Sequence, residues 1–205
     1  MTVAGVIQPG EQIGNQREDA AILGLKCSGP AAVEGGKLKL CNIPIGPTAL
    51  ASIGTNTTDV IQLWVTDIFV PCNRLITTVG VLQGGTAGTD KILVAIYDAQ
   101  GNLVASSALA GLALNGSANT FLELALALDG KGNSKTSFQM YGPAQYYIAV
   151  QGNGTAAGAI QTIKTATYID VCAGSVTAGT FGTLPATITV PTTFTADKGP
   201  IVYVY

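Results

Sequence analysis

From Val60 onward apolar positions recur with a period near two, broken at short intervals by glycine- and asparagine-rich turns, the pattern of short β-strands. Val60–Val70 is β-branched and aromatic and stops at Pro71, which has no amide proton to give to a ladder. Leu75–Leu82 predicts a second strand, closed by the turn region Gln83–Asp90. Lys91–Asp98 predicts a third, with Ile92, Val94 and Ile96 on one face and Leu93, Ala95 and Tyr97 on the other; two apolar faces make it central. Asp98-Ala99-Gln100-Gly101-Asn102 predicts a tight hairpin turn, with Gly101 supplying positive φ and Leu103–Ser107 returning. Ala108–Leu114 is ambiguous: its Leu and Ala content suits a helix, while its shortness and Gly111 suit a β arrangement. Phe121–Leu128 alternates cleanly, placing Leu122, Leu124, Leu126 and Leu128 on one face. Asp129–Ser134 is a polar turn, and Gln145–Gln151 is a strand closed by Gly152-Asn153-Gly154. Further strands are expected at Ala159–Lys164, Thr167–Val171, Ala186–Val190 and Ile201–Tyr205.

About eight to ten short strands without amphipathic helices between them predict an all-β fold, an antiparallel β-sandwich or jelly roll spanning residues 51–205. Residues 1–50 differ. Pro9-Gly10, Gly29-Pro30, Gly35-Gly36, Pro44 and Gly46-Pro47 recur too often for a continuous element, so this stretch is expected to be an extended N-terminal arm. Ala20–Leu25 and Lys37–Cys41 within it each suit an edge strand. With no core of its own, the arm should order by lying on something else.

Composition shifts the expectation toward assembly. Of 205 residues, 47% are apolar but only 11% are charged, less than half the roughly 25% usual for globular chains. The remaining surface must be built from Gly, Ala, Thr, Ser and Asn, which lack the repulsion that keeps charged monomers apart. A net charge of −2 opposes binding to a phosphate backbone, and no apolar run is long enough to span a bilayer, so no nucleic acid and no membrane are expected as partners. Met1–Gly5 lacks the basic start and apolar core of a secretory signal, and Met1 suggests a chain as translated.

The chain has no histidine, which removes the usual base of Ser-His-Asp and Cys-His constellations and the usual ligand of catalytic zinc. No enzymatic activity and no cofactor are expected. The carboxylates Asp59, Asp67, Asp90, Asp98, Glu123, Asp129 and Asp170 are the remaining candidates for an acid–base pair, but Asp90, Asp98 and Asp129 stand in Gly- or Asn-containing turn regions, where turn formation explains them. Gly84–Thr89 has the glycine content of a phosphate loop without the GKS or GKT element. Asp90, Asp98, Asn102, Asp129 and Asn133 are hard oxygen donors, which leaves a structural calcium open. Cys27, Cys41, Cys72 and Cys172 are spaced by 14, 31 and 100 positions, unlike a zinc knuckle. Two readings stand for them, buried thiols throughout or a Cys27–Cys41 bridge. Trp64 is in phase with Ile68 and Val70 and is expected in the core. Tyr146 and Tyr147 must face opposite ways, so one must leave the core.

The stretch Leu75 to Asn153, somewhat over a third of the chain, resembles a β-sandwich module of bacteriophage particle proteins. The likeness lies in Ile76-Thr77-Thr78-Val79-Gly80-Val81-Leu82, Gly88-Thr89-Asp90-Lys91-Ile92-Leu93-Val94-Ala95-Ile96-Tyr97-Asp98, Gly101-Asn102-Leu103-Val104-Ala105 and Gly142-Pro143 followed by Tyr146–Gly154. It implies a virion structural protein, foremost a capsid decoration or cement protein, located in the virion and partnered by capsid or other virion proteins and by its own copies. Similar hairpins occur in carbohydrate-binding modules, which makes a glycan- or receptor-binding module the alternative. The residues expected to meet partners are Ile22, Leu23, Leu25, Leu38 and Leu40 in the arm, and Tyr141, Tyr147, Tyr203 and Tyr205 in the domain.

Overall fold

A computed structural model describes residues 39–42, 53–57, 61–85, 89–154, 158–164 and 171–205, with backbone alone for 53–57. Among these residues the fold is all-β and antiparallel. The strands are β1 (Leu40–Cys41), β2 (Ile53–Thr57), β3 (Gln62–Val70), β4 (Arg74–Ile76) and β5 (Thr78–Leu82). They continue with β6 (Lys91–Tyr97), β7 (Leu103–Ser107), β8 (Leu112–Ala113), β9 (Phe121–Asp129) and β10 (Phe138–Met140). The last are β11 (Ala144–Gly152), β12 (Ala159–Ile163), β13 (Ala173–Thr177), β14 (Gly199–Pro200) and β15 (Val202–Val204). One sheet runs β1-β15-β5-β9-β7-β6-β11-β3-β13, with β8 also on β6; β10-β4 and β14-β12-β2 form smaller sheets.

The large sheet is sandwich-like because its two halves share one core. Val79 and Val81 of β5, Leu122, Leu124 and Leu126 of β9, and Val202 and Val204 of β15 come from one half. They pack with Trp64, Ile68 and Val70 of β3, Ile92, Val94 and Ile96 of β6, and Ile148 and Val150 of β11 from the other. Alternation along each strand puts these residues on the inner face. The halves join where β7 meets β9, and there the register shifts between Ser106 and Ser107. An irregularity of this kind bends a strand and re-aims its neighbours. The Ser107 hydroxyl accepts the Val94 amide at 3.1 Å, supplying a ladder acceptor at the bend.

The opposite face of β3, β6 and β11 is also apolar, and the segment after β13 covers it. Leu63, Val65, Ala95, Tyr97, Tyr147 and Ala149 pack there against Ile188, with Ala178, Leu184 and Val190 alongside. Polar contacts pin the cover: the Tyr97 hydroxyl donates to Pro185 O at 3.0 Å, and Gln151 Oε1 accepts from Gly182 N at 3.2 Å. The amide of Ile188 donates to Gly101 O at 2.8 Å. Gly101 is required at that point, since its φ is 81° and a Cβ would lie 2.1 Å from Ile188 O.

Several expectations are corrected. Leu75–Leu82 is two strands, because the chain changes partners at Thr77: β4 pairs with β10, whereas β5 lies between β9 and β15. Ala108–Leu114 yields only the short β8 on β6. Ala186–Val190 is part of the cover, with a single bridge from Thr187 to Asn102, because its neighbours are turn residues rather than a strand. Tyr146 enters the main core and Tyr147 the covered face, so neither ring reaches solvent. Strand Ala159–Ile163 and the C-terminal strand match expectation, as does Trp64 in the core. Most of Thr167–Val171 lies outside the described residues.

Candidate interaction surface

Six large apolar side chains are exposed among the described residues, Ile61, Phe69, Leu75, Leu109, Leu112 and Tyr141, and three of them, Phe69 (47% exposed), Leu75 (61%) and Tyr141 (65%), stand on or beside the connections from β3 to β4 and from β10 to β11. Their positions follow from two connections. β3 leaves through Pro71-Cys72-Asn73 into β4, and β10 leaves through the cis Gly142–Pro143 peptide into β11. Leu75 pairs with Gln139 and Met140 with Arg74, so alternation puts Leu75, Gln139 and Tyr141 on one face of the β4–β10 ribbon. The other face sends Ile76 and Met140 into the core. Phe69 lies opposite Gln145 on β11, beyond the reach of the covering segment.

The end is held firmly beneath these side chains. The Gly142 amide donates to Asn73 Oδ1 at 3.1 Å, and the Tyr141 amide donates to the Tyr146 hydroxyl at 2.9 Å. A Cβ at Gly142 would lie 2.5 Å from Val70 O, so the two connections pack backbone to backbone. Asp67 accepts from Gln145 Nε2 at 2.5 Å and from Cys172 N at 3.0 Å, which secures β3 next to Phe69. Burial pulls the Arg74 guanidinium below its ordinary value, with the Cys72 thiol opposing the shift. The apolar side chains are thus exposed on a fixed backbone.

A second cluster occupies the outer face of the β1-β15-β5-β9 half. Tyr203 lies between Cys41 on β1 and Gly80 on β5, and Gly80 pairs in turn with Glu123 on β9. The Tyr203 hydroxyl donates to Glu123 Oε1 at 2.5 Å and the Tyr205 hydroxyl to Oε2 at 2.7 Å. Lys39 Nζ donates to the Tyr203 hydroxyl at 3.0 Å and pairs with Glu123 at 3.3 Å. Its ammonium also sits 4.4 Å from the Tyr203 ring centroid. Desolvation works against ionisation of Glu123, but hydrogen bonds from Tyr203, Tyr205 and Lys39, with the Lys39 charge, outweigh it and lower the pKa. This cluster fastens β1 to the sheet.

Of the described residues expected to meet partners, only Tyr141 is strongly exposed. Leu40, Tyr147 and Tyr203 are buried within the chain and offer no side-chain surface: Leu40 is in the main core, Tyr147 under the cover and Tyr203 under Lys39. Tyr205 is half-buried and engaged by Glu123. Ile22, Leu23, Leu25 and Leu38 lie outside the described residues. Phe69 and Leu75 were not singled out in the sequence, because each sits in a run that reads as ordinary strand.

The described carboxylates accept hydrogen bonds that hold the fold together. Asp90 accepts from Gly158 N at 2.7 Å. Asp98 Oδ1 accepts from Gln100 N at 2.9 Å and Asn102 N at 2.8 Å, while Asp129 Oδ1 accepts from Lys131 N and Asn133 N, both at 2.9 Å. Asp98 and Asp129 close two copies of one turn, D-x-x-G-N, each with its glycine at positive φ. Side-chain and backbone hydrogen bonds from Asn133 lower the Asp129 pKa. Asp59 and Asp170 lie outside the described residues, among which no group of three potential metal ligands forms. No helix among them is long and apolar enough to cross a membrane. Cys41 is disulfide-bonded, whereas Cys72 and Cys172 form no disulfide, so buried thiols throughout is not what the fold contains. Comparison with protein-family models and with curated proteins returns no match.

Proposed function

We propose that this is a non-enzymatic virion structural protein, foremost a capsid decoration or cement protein of a bacteriophage, that seats its β-domain on the particle. The observation that carries this reading is the exposed Phe69, Leu75 and Tyr141 end on a chain with only 11% charged residues. Exposed apolar side chains carried on a rigid backbone offer ready contacts to another macromolecule. A shell protein gains from that arrangement, because the seat needs no reordering before it binds. The segment preceding residue 39 adds contacts across neighbouring subunits, and the β1 clamp transmits that hold to the sheet.

Virions purified from the source of this chain should carry it in fixed stoichiometry by quantitative mass spectrometry. Its absence from purified virions would overturn the virion role. One observation favours a second reading, glycan or receptor binding: the Tyr141 ring is 65% exposed and suits stacking on a sugar face. A glycan array showing saccharide binding that is lost on Tyr141→Ala supports that reading; no hits count against it.

A further inference from the structure

We infer that the β13 edge is a self-complementary dimerisation strand, pairing antiparallel with β13 of a second copy about a twofold axis through Val176. β13 ends the large sheet, with β3 on its inner side. The Asp67 amide donates to Cys172 O, and the Ala178 amide to Ile61 O. Antiparallel alternation therefore turns the N–H and C=O groups of residues 172, 174, 176 and 178 toward β3, and those of Ala173, Ser175 and Thr177 away from it.

The outward groups of Ala173 are used within the chain. Its amide donates to Thr193 O at 3.1 Å and its carbonyl accepts from Thr195 N at 2.7 Å, a single parallel bridge. Among the described residues the outward groups of Ser175 and Thr177 have no partner, and both residues are exposed. Beside them, residues 173–176, 189–193 and 195 line an open groove of about 430 Å³ that contains no charged side chain. An unpaired edge of this kind is a template for another strand.

The register identifies the occupant. Pairing Ser175 with Thr177 of a second copy, and Thr177 with its Ser175, makes two hydrogen-bonded pairs. Their four bonds use every unpaired outward group on both strands and leave none over. The symmetry is closed, so association stops at two copies. Neither strand carries a charge, so no like-charge contact opposes the pairing. Lysine on an edge strand is a common guard against this association, and β13 has none. The inference is independent of the virion role, since it concerns only contact between copies.

The test is sedimentation velocity of the full chain over a concentration series, with disulfide trapping. The expected result is a monomer–dimer equilibrium, weakened at least about tenfold by Thr177→Lys and by Ser175→Pro. Ser175→Pro removes only an outward amide, the position where an edge strand tolerates proline, and the fold of each variant is checked by circular dichroism. Val176→Cys should give an oxidised dimer on non-reducing gels beyond the wild-type background from Cys72 and Cys172. In the proposed register its two copies face each other as a non-hydrogen-bonded pair with Cα atoms about 4.5 Å apart, inside the disulfide range of roughly 4.4–6.8 Å. Thr177→Cys should not, since its symmetry mate lies beyond about 7 Å. A chain that stays monomeric overturns the inference. So does a dimer that resists both edge variants or is trapped equally well by the two cysteines.

Discussion

Gly80→Ala is the sharpest test of how the β1-β15-β5-β9 half is built. In an ordinary strand, replacing glycine with alanine stabilises by roughly 0.4–1 kcal/mol, because the unfolded chain loses freedom. Here the new Cβ would sit 2.3 Å from Tyr203 Cζ and 2.5 and 2.7 Å from its Cε atoms. The ring cannot slide aside freely. Its hydroxyl is held by Glu123 and Lys39, and Phe121 packs on it with ring centroids 4.6 Å apart. Lifting it costs roughly 1–3 kcal/mol of overpacking and strains a hydrogen bond worth about 1 kcal/mol. Net of the backbone gain, destabilisation should be about 1–3 kcal/mol, or roughly 2–12 °C in Tm for a chain this size. Urea and thermal unfolding followed by circular dichroism measure it. Repeating the substitution in a Tyr203→Ala background isolates the ring, and there Gly80→Ala should be neutral or stabilising. Equal effects in both backgrounds would refute the ring-on-glycine packing.

Other consequences are as specific. Tyr147→Ala should destabilise by about 3–5 kcal/mol, the cost of removing a large buried aromatic, and should raise hydrogen exchange across residues 178–190 if the cover depends on that face. Glu123 has a lowered folded pKa, so its stabilising contribution is fully present above its unfolded value of roughly 4.3 and is lost as pH falls through the folded one. Glu123→Gln should therefore flatten the acid limb of a Tm–pH profile, and an unchanged limb would contradict the clamp. Asp98→Ala and Asp129→Ala should each accelerate amide exchange at its own turn, at Asn102 and Asn133 respectively, without changing the other.

The all-β class was legible because the strands that build it carry their own pattern. Phe121–Asp129 alternates in sequence and in burial, and β6 reads as central because both of its faces are apolar. Partner switching was not legible. Nothing in Thr77 announces that its two sides join different sheets, since that depends on where β10 and β9 lie. Tyr147 was misread for a related reason: a strand shows that two adjacent tyrosines diverge, but not that a distant segment of threonine, alanine and proline covers the second face. Ala173–Thr177 has weak strand chemistry, with a glycine and small polar residues, and forms because β3 offers it a ladder. One signal was available and unused. The repeated D-x-x-G-N spacing predicts two equivalent turns and accounts for four of the five oxygen-donor residues considered for calcium.

The exposed end can be tested where the proposed role lies, on the particle. Leu75→Ser and Tyr141→Ser alter side chains that face solvent, so the double variant should keep the wild-type circular dichroism spectrum and Tm. Its occupancy on virions, quantified against wild type after co-sedimentation with particles stripped of the native chain, should fall severalfold or be lost. Wild-type occupancy by the folded double variant would contradict the seating of this domain through Phe69, Leu75 and Tyr141.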